Sequence, residues 1–96
     1  MPDYLFLMHD DARIDEDVAA WPRYISQLKA QRRFVGGSVI GNGGAYRKSG
    51  PAGAKTPVNG FIRVEAPSLA AAQKLLAGNP VYEAGGTVEI RELPEG

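Results

Sequence analysis

The sequence holds one histidine, His9, followed at once by Asp10 and Asp11 and then, past Ala12, by Arg13. An imidazole beside a carboxylate is the usual general-base arrangement. His9 is therefore a candidate base, with Asp10 its helper. The chemistry such a pair suits is a cofactor-independent proton transfer, elimination or hydrolysis on a small organic molecule. The alternative is a surface histidine leading into an acidic helix start, since adjacency in sequence does not orient one side chain onto another. Nothing in the sequence calls for a cofactor. With a single His and no Cys, a metal site would rest on carboxylates at no recognisable spacing.

A second set of residues suits binding rather than proton transfer. Trp21, Tyr24 and Tyr82 are aromatics with polar handles that can wall a flat ligand, or equally pack a core or an interface. Ser38 and Asn79 would add hydrogen bonds to such a pocket. Two apparent motifs fail. Ser49–Thr56 approaches a phosphate-binding loop, but Ser49 and Ala54 stand where glycines are required, and Pro57 precedes a strand pattern rather than a helix. Asn59–Val64 echoes the third strand of an RNA-recognition module, yet offers only Phe61 where alternating aromatics are needed.

These residues must be positioned by a short chain. Ninety-six residues fit one domain with a thin core, for which association would help. Tyr4–His9 is an apolar run too short for a buried helix and reads as a strand. Alternation sends Leu5, Leu7 and His9 to one face and Tyr4, Phe6 and Met8 to the other, so both faces are apolar. Asp15-Glu16-Asp17 opens a helix from near Val18–Trp21 to near Gln31, with Trp21, Tyr24, Ile25 and Leu28 as its stripe. Phe34–Ile40 is a second strand, in which Gly36-Gly37 marks a bulge or a close approach. The glycine-rich 41–57 connection is long enough to be a functional lid or a mobile loop, with Arg47, Lys48 and Lys55 as its cations. Val58–Glu65 is a third strand, and Ser68 caps a helix over Leu69–Ala77. Leu69, Ala72, Leu75 and Leu76 form that helix's buried face, and Gly78 stops it. Asn79-Pro80 makes a turn, and Thr87–Leu93 closes the chain as a strand.

The order βαββαβ predicts an α+β, ferredoxin-like domain: an antiparallel four-stranded sheet with two helices on one face. Its uncovered apolar face predicts a face-to-face homodimer. Eleven basic residues balance eleven acidic ones, so neither nucleic acid nor a membrane surface is an expected partner. No apolar run is long enough to span a bilayer. Met1-Pro2-Asp3 lacks the basic start of a secretory leader, and the expectation is a soluble, cytoplasmic protein.

With these elements placed, YLFLMHDD, WPRYISQLKAQRRFVGGSVI and SLAAAQKLLAGNPVYEAGGTVEIRE together resemble the YCII-related family, which includes proteins grouped by a DGPF motif. The resemblance covers nearly the whole chain, as a single domain with the 41–57 loop inside it. It implies a ferredoxin-like fold assembled as a dimeric α+β barrel. Many members carry a His on the first helix and an Asp before the proline that corresponds to Pro80. Those places fall here to Trp21 and Asn79, which cannot exchange a proton or act as a carboxylate. The DGPF block is missing from the 41–57 loop. The resemblance thus leaves two readings. In one, the chemistry has moved to His9. In the other, His9, Trp21, Tyr24, Ser38, Asn79 and Tyr82 surround a small molecule without transforming it, or the domain serves as an accessory dimerisation module.

Overall fold

The computed structural model describes residues 1–95. Four strands, β1 (Asp3–His9), β2 (Phe34–Val39), β3 (Val58–Glu65) and β4 (Val88–Leu93), form one sheet in the order β2-β3-β1-β4. Every neighbouring pair is antiparallel. Helix α1 (Trp21–Ala30) links β1 to β2, and α2 (Leu69–Lys74) and the short α3 (Pro80–Glu83) link β3 to β4. This is the α+β, ferredoxin-like arrangement that the element order predicts.

Alternation along β1 decides where the core lies. Tyr4, Phe6 and Met8 are buried beneath the helices, while Leu5, Leu7 and His9 are half-buried on the opposite face. The β3 partners follow suit: Ile62 and Val64 complete the core with Tyr24 and Leu28 of α1 and Ala72 and Leu76 of the second helical segment. Phe61 and Arg63 share the open face with Leu7 and Leu5.

Helix α1 begins where Pro22 is harmless, in the first turn, where its missing N–H has no intrahelical partner to lose. A 3₁₀ turn at Val18–Ala20 leads into it. The acidic run does not cap the helix: Asp17 makes no side-chain capping bond and no acidic residue lies in α1's first turn. Ser68 caps α2 as expected, its hydroxyl accepting from the Ala71 amide at 3.1 Å.

Three local expectations are corrected. Leu69 is 53% exposed instead of buried: it is the first residue of a six-residue helix whose buried residue is Ala72. The regular helix stops at Lys74 rather than Ala77, and Gly78 then turns the chain at φ +89°. Asn79-Pro80 is more than a turn, since it starts α3. The Gly36-Gly37 reading is met on both counts. The β2–β3 register shifts between Phe34 and Gly36, and a Cβ on Gly37 would lie 2.6 Å from the Phe61 carbonyl.

Candidate functional site

A cleft of about 460 Å³ opens between the first half of α1 and the β2–β3 side of the sheet. Helix α1 contributes Trp21 and Ile25, and β1 contributes Met8 at its far end. Phe34 and Ile62 form the back wall, while Val18 and Val39, both well exposed, stand at the rim. The floor is bare for a structural reason. Gly37 and Gly60 lie where the strands approach too closely for side chains: a Cβ on Gly60 would meet the Ser38 carbonyl at 3.3 Å and the Met8 methyl at 3.4 Å. The volume lies within the usual range for a small-molecule site.

Trp21 is held in place by two contacts. Its ring meets Tyr24 edge-to-face, centroids 5.9 Å apart, and its indole N–H donates to Glu16 Oε2 at 2.8 Å. Glu16 is half-buried and lines the cleft, while the residues around it, Asp15 and Asp17, are exposed. No Lys, Arg or His lines this cleft.

Behind Trp21 lies a buried polar node. The Tyr24 hydroxyl donates to the Leu75 carbonyl at 2.7 Å, tying α1 to the end of the second helical segment. Burial pushes the Tyr24 phenol up to about 12, and the neighbouring Asn79 side chain offsets part of that shift. Asn79 is fully buried. Its Oδ1 accepts the Val81 and Tyr82 amides at 3.0 and 3.1 Å, the N-cap of α3. Its Nδ2 has no hydrogen-bonding partner among the described residues.

His9 lies on the other side of the sheet. Its Nε2 is 3.0 Å from Glu89 Oε1, across from β1 on β4. Glu89 also accepts from Arg91, and these two partners, His9 first, hold its carboxyl below the usual range. Asp11 is engaged elsewhere: it accepts the Thr87 backbone N–H and the Thr87 hydroxyl, both at 2.7 Å. Those bonds, the backbone one foremost, lower its pKa.

The residues singled out in the sequence thus occupy separate places. Trp21 and Ser38 border the cleft. Ser38 stands opposite Phe61 and spends its hydroxyl on the Val39 carbonyl at 3.0 Å. Tyr24 and Asn79 are buried behind the cleft, and Tyr82 is 48% exposed beyond it. His9 is excluded from it by the two-residue period, which sends Met8 to the helix face and His9 to the other. Asp10 is exposed and makes no side-chain hydrogen bond with His9; its own N–H donates to the Pro57 carbonyl. The carboxylate on His9 is Glu89, eighty positions away in sequence, so no local spacing announced it. In the sequence Glu16 belongs to a helix start and Phe34 to a strand, with no local signal that either lines a cleft, whereas Ile25 stands in the helical stripe.

The fold and the cleft define a small α+β domain with an apolar recess on its helix-covered face. The YCII-related domain matches residues 3–95, nearly the whole chain, and the protein belongs to that family. No curated protein sequence gives a significant match. No helix among the described residues is long and apolar enough to cross a membrane.

Proposed function

We propose that this YCII-related domain binds a small, flat, largely apolar molecule in the α1–sheet cleft, and does so without His9. One observation carries the reading. A recess walled by aromatic and aliphatic side chains and floored by bare glycine backbone is separated from the histidine by the sheet itself. A neutral aromatic probe such as propylbenzene tests it by NMR. Shifts should concentrate on the Trp21 indole N–H and the Gly37 and Gly60 amides, and an Ile25→Arg change should remove them. Shifts scattered over the open face instead would end this reading.

The enzyme reading retains one supporting observation, the His9–Glu89 pair, in which a carboxylate can orient an imidazole for proton transfer. Its substrate would have to dock on the open face. A turnover abolished by His9→Ala, with folding and cleft binding intact, would establish it over the binding reading.

A homodimer is part of the proposal. Leu5, Leu7 and Phe61 form an apolar strip on a sheet face that no helix covers. The strip is flanked by charges of both signs, Arg63 with Asp3 and Glu89 with Arg91, which suits a self-complementary two-fold contact. Light scattering at micromolar concentration should give twice the chain mass. Phe61→Asp should halve it. A wild-type monomer at that concentration contradicts the proposal.

A further inference from the structure

The cleft's charge inventory is one-sided, and this points to what it selects. Its polar lining residues are Glu16, Ser38 and Asn59, and Glu16 is the only one that ionises. The carboxylate is not adventitiously placed. The Trp21 indole N–H fixes one of its oxygens at 2.8 Å, and Oε1 has no partner among the described residues. Around it in the sequence, the 10–17 segment sets Asp10, Asp11, Asp15 and Asp17 against the single base Arg13. The cations of the 41–57 loop do not offset this, since none of Arg47, Lys48 and Lys55 lines the cleft and Lys55 is engaged with the Gly43 carbonyl. Lys29 lies over the Phe34 ring, 5.6 Å from its centroid, yet it too stands outside the lining.

We infer that the cleft is selective for arylalkyl amines, with the ring against Trp21 and the glycine floor and the ammonium on the free oxygen of Glu16. This rests on the binding function proposed above and adds the ligand's charge to it. The geometry is suited to the task. An ammonium on Glu16 makes a charge-assisted hydrogen bond at the edge of an apolar recess, where it is stronger than in open water. An isosteric carboxylic acid meets the opposite situation: its anion would be repelled by Glu16 and would find no cation to receive it.

Three probes of matched shape separate the possibilities on the full-length chain: phenethylamine, propylbenzene and 3-phenylpropionate. Trp21 is the only tryptophan, so its fluorescence reports the site directly, with calorimetry as a second readout. The expected order is amine at least about tenfold tighter than hydrocarbon, with carboxylate weakest, and an amine affinity that falls as salt is added. Glu16→Gln keeps an oxygen for the Trp21 N–H. It should bring the amine down to the hydrocarbon's affinity while leaving the hydrocarbon unchanged. Equal affinities for amine and carboxylate, or an amine affinity indifferent to Glu16→Gln, overturn the inference while hydrocarbon binding leaves the cleft reading standing. Failure of all three probes to perturb Trp21 overturns both.

Discussion

The two faces of the sheet are built from the same strands and behave as two different surfaces. On the helix-covered face, Tyr4, Phe6, Met8, Ile62 and Val64 are buried and entirely apolar apart from one phenol. The open face carries all three ion pairs found among the described residues, Asp3–Arg63, His9–Glu89 and Glu89–Arg91, around the half-buried Leu5, Leu7 and Phe61. The contrast shows how a one-residue step separates functions in a strand. Met8 reaches the cleft, and His9 cannot. A pocket and a base that look adjacent in sequence therefore belong to different surfaces, and only the pocket has walls.

The sharpest way to break this comparison is to truncate one side chain on each face of β1. Phe6 is fully buried, and Phe6→Ala should cost about 3–5 kcal/mol, most of what a domain this size has. Leu7→Ala, one position on, should cost under half as much in urea unfolding of the dilute chain. If a second copy covers the open face, the Leu7 cost should also grow with protein concentration. Equal and concentration-independent losses for both would mean that the open face is already a core within one chain.

Next in size is the buried node that stands behind the cleft. Asn79→Ala removes the acceptor for two α3 amides and should cost about 2 kcal/mol. Asn79→Asp keeps that acceptor and discards the amide nitrogen that finds no partner, so at neutral pH it should be the milder of the two changes. Should the aspartate variant be the worse one, desolvation of its charge outweighs the cap, and the node cannot hold an anion.

Most of this architecture was legible because it rests on local rules. Alternation in Tyr4–His9, the Trp21–Leu28 stripe and the Ser68 cap each depend on residues a few positions apart, and each is present in the structure. The site was less legible because its parts meet through tertiary packing. Glu89 reaches His9 only through the β1–β4 register, and Phe34 faces Trp21 only because a helix crosses back over the sheet. Asn79 stood out in the sequence, but as a ligand contact. Its buried capping role depends on α3, four residues too short to show a periodicity. Leu69 shows the converse error, an apolar residue at the right spacing that stands exposed at the first position of its helix.

A smaller effect should come from Tyr24→Phe, which keeps the ring against Trp21 and removes only the bond to the Leu75 carbonyl. The expected loss is about 1 kcal/mol, the carbonyl being left without that donor. The pH dependence identifies the cause. The folded phenol sits near 12 against an ordinary 10.0, so its contribution is complete below pH 10 and is lost as pH rises toward 12. Wild type should therefore lose stability across that interval faster than Tyr24→Phe. Parallel curves would show that Tyr24 ionises as freely in the folded chain as in the unfolded one.

The smallest predicted effect lies at the end of the sheet, where β1 runs into the acidic segment bordering the cleft. Asp11 holds Thr87 by both its amide and its hydroxyl, and so ties that segment to the start of β4. Its carboxyl is depressed below the ordinary 3.8, which means the folded state favours the ionised form. The stability this adds is present above about pH 5 and disappears as pH falls through the lowered value. Asp11→Ala should therefore be slightly less stable than wild type from pH 5 to 8, and the two should converge on acidification. Comparing variants cancels the similarly depressed Glu89, which titrates in both. A margin that survives at pH 2 would assign the effect to lost packing instead of charge, and Asp11 would then hold the cleft's border by shape alone.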